Sequence, residues 1–180
     1  MLFPSLRGVK VSTLMNKLCI CIFSGLVWAL SAGSAFGRVD ICNEIPGHID
    51  NIAKFTDWLR SDFKYRMEYP DEHQTPVETL RARSGDCEDF AALVLYFMDN
   101  VEKLPADIII VKFRDLHNAH ALCVWKNTKG HYCFTSNSRL FVTKKSDITD
   151  LVEFFYPDWE KIYFADKNFK RTSVIKRQKM

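Results

Sequence analysis

Ten residues, Ser84-Gly85-Asp86-Cys87-Glu88-Asp89-Phe90-Ala91-Ala92-Leu93, constrain this chain more than any other stretch. Gly85 offers the backbone freedom a tight turn uses. Asp86 is a good helix N-cap, and Glu88 and Asp89 suit a first helical turn. From Cys87 the apolar positions Ala91, Val94, Leu95 and Met98, flanked by Phe90, Leu93 and Phe97, keep helical spacing with a wide buried stripe. The pattern predicts a helix that begins at Cys87. A helix N-terminus lowers a thiol's pKa, whereas the carboxylates of Asp86, Glu88 and Asp89 oppose that effect. A reactive Cys87 therefore needs a cationic partner. Without one it reads as a thiol packed under a turn.

The flanking sequence predicts helices first and then an antiparallel sheet, an α+β order. Residues 48–66 place Ile49, Ile52, Phe55, Leu59 and Phe63 mostly on one helical face. Thr75-Pro76-Val77-Glu78 predicts a short helix with a capping box and a proline in its first turn. Residues 108–113, 119–125, 131–135 and 140–143 predict strands, with a turn at Asn127-Thr128-Lys129-Gly130. Ser146 is expected to cap a final helix that runs to about Tyr156.

Residues 1–37 read as an export signal, with Met15 an alternative start. Lys17 supplies the charge, the 13 residues Leu18–Leu30 supply the apolar core, and small residues follow. That core is shorter than the ~20 residues a membrane-spanning helix needs, so no stable span is expected after cleavage. Residues 38–166 then form the folded domain, and residues 167–180 a basic tail. Arg7, Lys10 and Lys17 are the only charged residues before Arg38, so the formal charge of +3 belongs to the leader. A near-neutral remainder argues against a nucleic-acid partner.

His120 opens the apolar strand 119–125 and is the base expected to meet Cys87. His117, in the preceding polar loop, competes with it. A third group should orient the imidazole. Asn137, Ser136 and Thr135 are candidates on or just after the next strand, and Asp147 is the nearest downstream aspartate. The backbone N–H of Cys87 is the expected oxyanion donor, with Gln74 a second candidate. Cys123 and Cys133 both lie five residues from Thr128, which allows a cross-strand disulfide; two packed free thiols are the alternative.

Gln74-Thr75-Pro76-Val77-Glu78-Thr79-Leu80, Gly85-Asp86-Cys87-Glu88-Asp89-Phe90-Ala91 and His120-Ala121 together resemble the bacterial transglutaminase-like cysteine proteinases, over about residues 45–140. The resemblance implies a papain/transglutaminase-like fold, with the nucleophile helix packed on an antiparallel sheet. It implies Cys87 as nucleophile and His120 as base in an exported, periplasmic thiol hydrolase. The substrate would be a protein or peptide, cell-surface proteins included. Where the family carries an aspartate this chain reads Cys133-Phe134-Thr135-Ser136-Asn137, with Asn137 the best substitute, and His73 stands where a tryptophan is usual. Some members use calcium, which implies Asp86 and Glu88 as ligands, completed from Asp62, Asp71, Glu72 or Asp89. No other cofactor is implied. An acyl-transferring transglutaminase and a catalytically silent binding domain share the same motifs.

Overall fold

The computed structural model describes residues 41–67, 73–114 and 119–177. The leader, Asp71, Glu72 and His117 lie outside them. Helix α1 (Ile52–Asp62) is capped by Asn51, whose side chain accepts from the Lys54 N–H at 3.0 Å. It buries Phe55 and Leu59, and the Phe55 ring stacks on Phe97 at 4.0 Å. The two-residue strand β1 (Lys64–Tyr65) follows. Helix α2 (Pro76–Ala82) has the expected capping box: Glu78 Oε2 accepts from the Thr75 N–H at 2.8 Å. Strand β2 (Ser84–Gly85) pairs in parallel with β1 and hands the chain to α3 (Cys87–Phe97).

A π-helical turn, Met98–Glu102, leads from α3 into the sheet. Strands β3 (Ala106–Phe113), β4 (Ala119–Lys126), β5 (Tyr132–Ser136) and β6 (Arg139–Val142) precede α4 (Ile148–Phe155). Strands β7 (Trp159–Ala165) and β8 (Arg171–Lys176) come after it. The six longer strands are ordered β6-β5-β4-β3-β7-β8, and every neighbouring pair is antiparallel. The α+β expectation holds.

Alternation along β4 sends its two sets of side chains into two cores. Ala121, Cys123 and Trp125 pack with Cys87, Phe90 and Leu93 on the α3 side. Leu122 and Val124 pack with Leu151, Val152 and Trp159 on the α4 side. The sheet is therefore covered on both faces, and the start of β4 lies between the two layers.

Three expectations are corrected. Residues 171–176, read as part of a basic tail, form β8, because their alternation matches the edge of β7 and pairs Ile162 with Ile175. Asp147 rather than Ser146 caps α4, its Oδ1 accepting from the N–H groups of Thr149 and Asp150. The Cys123–Cys133 bridge is absent. The hairpin folds about Lys129, so Cys123 lies opposite Thr135 and Cys133 opposite Trp125, and both cysteines are buried free thiols.

Candidate active site

The turn before Cys87 is held by Asp89, which is 1% exposed. Its two carboxylate oxygens accept from the backbone N–H of Gln74 at 2.8 Å and of Asp86 at 3.1 Å. One side chain thus ties the approach to α2 to the start of α3. Gly85 serves this arrangement through space rather than through backbone angles. Gly130 is the only glycine at positive φ among the described residues. A Cβ on Gly85 would instead meet Asp89 Cβ at 2.6 Å and Oδ2 at 2.7 Å. The residue expected to permit a sharp turn in fact permits a close approach.

Cys87 is 9% exposed at the first position of α3. It packs against β4 in one core with Ala121, the residue next to His120. The thiol donates to Glu88 Oε2 at 3.6 Å. Burial, and then the charges of Glu88 and Asp86, push the Cys87 pKa up to about 12, against the lowering effect of the Ala121 N–H. The resting sulfur is therefore a thiol. The helix terminus does not overcome desolvation by the core and repulsion from its own acidic neighbours.

His120 hangs from the same stretch of β4 on the α4 side. Its Nε2 is 2.8 Å from Ser136 Oγ, and its ring centroid lies 5.8 Å from that of Tyr156. The Tyr156 hydroxyl donates to the same Ser136 oxygen at 3.3 Å. Burial raises the Tyr156 pKa against the lowering effect of the Ser136 hydroxyl, and an ionised Cys87 would raise it further. Sequence reasoning missed Tyr156, because a residue just past the end of α4 gives no local sign that it folds back over β4.

Cys87 packs beside Ala121 and Ser136 meets His120 near the start of β4, whereas among the described residues no hydrogen bond joins Asn137, Thr135 or Asp147 to the imidazole. Asn137 adopts a left-handed backbone with φ 52°, and its buried Oδ1 has no hydrogen-bond partner among the described residues. Thr135 faces the α3 side opposite Cys123, and Asp147 is occupied as the α4 cap. Gln74 lines a cavity beyond His73 rather than the one beside Glu88 and Ala121.

Burial also lowers the His120 pKa, because the neutral ring is the form the site accommodates. An unfolded His120 binds a proton near its ordinary value that the folded one refuses. Stability from this residue is therefore present above that value and is lost as pH falls below it. Melting temperature is expected to drop between about pH 7 and pH 5, and to drop less in His120→Gln. Parallel melting curves for the two proteins across that range would refute this.

Asp86, Cys87 and Glu88 place ligand atoms within 4.8 Å of one another. The carboxylates number two, whereas calcium takes six to eight oxygens. Glu88 Oε1 is paired with His73 Nδ1 at 2.8 Å, Asp62 with Arg83 at 2.8 Å, and Asp89 holds backbone. The described residues therefore do not fit calcium by themselves.

Residues 40–101 match the model of the transglutaminase-like superfamily. The matched segment runs through α1, α2 and α3, and includes Gly85, Cys87 and Asp89. His120 and Ser136 come after it in the sequence. No curated protein matches the chain. Among solved structures, the calcium-bound LapG of Legionella pneumophila is 21% identical with a TM-score of 0.46. The chain spans 66% of that LapG, and 67% of this chain is covered. A second Legionella pneumophila LapG structure is 20% identical, with a TM-score of 0.46 and the same coverage. The EGTA-treated LapG from the same organism is 19% identical, with a TM-score of 0.44, over 71% of this chain and 72% of that one. Among the described residues, no helix is long and apolar enough to cross a membrane.

Proposed function

We propose that this protein is an exported, periplasmic thiol hydrolase that cleaves peptide or amide bonds in a protein substrate. One observation carries the reading: Cys87, at the start of α3, packs in one core with Ala121 of β4, and the adjacent residue, His120, has its Nε2 engaged by Ser136. With Nε2–H donating to Ser136 Oγ, the lone pair of Nδ1 is left to receive the thiol proton. Both groups start neutral, so proton transfer accompanies attack rather than preceding it. Cys87 Sγ bonds to the substrate carbonyl carbon while His120 Nδ1 takes the proton. The N–H of Cys87, at the mouth of α3, faces the developing oxyanion. The imidazolium then protonates the leaving amine as the C–N bond breaks. Water, losing a proton to Nδ1, adds to the thioester and releases the acid and the thiol. An amine taking the place of water would make the product a transferred acyl group.

Ser136 is the orienting group in this scheme, in preference to Asn137. No step is routed through a metal. Calcium at Asp86 and Glu88 would need further oxygens; Asp71 and Glu72, just before His73 in the sequence, lie outside the described residues.

Mass spectrometry after treatment with an epoxysuccinyl electrophile tests the reading. The expected result is one adduct at Cys87, faster than any at Cys42, and none in Cys87→Ala. Labelling of Cys87 no faster than of Cys42 would remove the enzyme and leave a binding domain.

A further inference from the structure

A cavity of about 480 Å³ opens beside α3, walled by Pro76, Ala92, Leu95, Tyr96 and Phe169. We propose that this cavity is a side-chain pocket for a large apolar residue of an extended polypeptide substrate, a proposal that rests on the thiol-hydrolase reading. A second cavity of about 270 Å³ shares His73 and Phe169 with it. The smaller one is lined by Glu88, whose Oε2 accepts from the Cys87 thiol, and by Ala121, which shares a core with Cys87. The two cavities are neighbours, and the smaller reaches the residues on either side of the Cys87–β4 contact.

The distances suit an extended chain. Ala92 and Leu95 lie five and eight residues after Cys87 on the same helix. At 1.5 Å per residue they stand about 7 to 12 Å along its axis. An extended substrate advances about 3.3 Å per residue, so the pocket takes a side chain roughly two to four residues from the scissile bond.

The pocket's volume falls within the range of small-ligand sites and admits the largest aromatic side chains. Asp99 and Lys167, both on its lining, carry opposite charges, so neither sign of substrate charge is favoured and apolar contact selects the occupant. Phe169 lines both cavities. It takes φ 57°, a strained angle for a bulky side chain, in the turn between β7 and β8. Asp166 fixes that turn by accepting from the N–H groups of Asn168 and Lys170, and the Phe169 ring packs against His73 at 5.1 Å.

Fluorescence anisotropy on the Cys87→Ala protein tests the pocket without chemistry. The probes are fluorophore-labelled Gly/Ser nonapeptides that carry one Phe, or one Ala, at each position in turn. Phe at one position is expected to tighten binding at least about tenfold over Ala there. Ala92→Phe, which fills the pocket, should abolish the difference while circular dichroism stays unchanged. If that variant does not fold, Phe169→Ala replaces it and should reduce the preference to about twofold or less. Equal binding of Phe and Ala peptides at every position, no binding at about millimolar protein, or a preference that survives either substitution would overturn the pocket. Electrophile labelling of the unsubstituted protein reports separately on the hydrolase. A chain that prefers Phe peptides but does not label Cys87 keeps the pocket and loses the enzyme.

Discussion

Gly85→Ala is expected to cost about 3 kcal/mol or more of stability, by denaturant titration, and to remove electrophile labelling of Cys87. The added methyl would sit 2.6 Å from Asp89 Cβ, an atom fixed to the α3 backbone rather than the free end of a side chain. Relief requires the helix start to move or Asp89 to rotate. Rotation would release the N–H groups of Gln74 and Asp86, which are buried or half-buried and held by a charged acceptor. The fitting control is Gly130→Ala. Gly130 has φ 75° and nothing within 4 Å of a built Cβ, so only the backbone penalty of about 1 kcal/mol applies. A Gly85→Ala protein as stable as Gly130→Ala would show that the Asp89 clamp is not what holds the turn.

The second large effect concerns the proton. His120→Ala is expected to slow epoxysuccinyl labelling of Cys87 near neutral pH by about a thousandfold, the range of a lost general base. Ser136→Ala should slow it about tenfold, since the ring keeps its place but loses the oxygen 2.8 Å from Nε2. Asn137→Gly, which preserves the left-handed backbone, should stay within about twofold. Because burial and acidic neighbours hold the Cys87 thiol up to about 12, alkylation in His120→Ala should climb about tenfold per pH unit through about pH 9. A neutral-pH plateau in that variant would mean that the thiolate forms without the histidine. Equal rates for Ser136→Ala and the unsubstituted protein, with a slow Asn137→Gly, would return the orienting role to Asn137.

Much of this site was legible in the sequence because its signals are local. A cap, an acidic first turn and an apolar stripe place Cys87 at the mouth of α3 within a dozen residues. The Thr75 capping box is equally self-contained. The α+β order follows from periodicity that changes once along the chain. What the sequence concealed is what depends on distant packing. Gly85 looks like a turn glycine until Asp89 is seen folded against it. Ser136 and Asn137 are adjacent, and only the register of β5 on β4 decides which one reaches His120. Cys123 and Cys133 illustrate the same point, since moving the hairpin centre by one residue separates them. Strand β8 was missed because basic residues crowd 167–177, and an edge strand tolerates such charge on an exposed face.

The two faces of β4 have a final consequence. Cys87 is anchored in the layer beneath α3, and His120 leans on the layer beneath α4. Loosening of either layer parts the donor from the acceptor while the other layer is still intact. Chemistry here is conditional on agreement between two independently packed halves, so heat should silence the thiol before it melts the molecule.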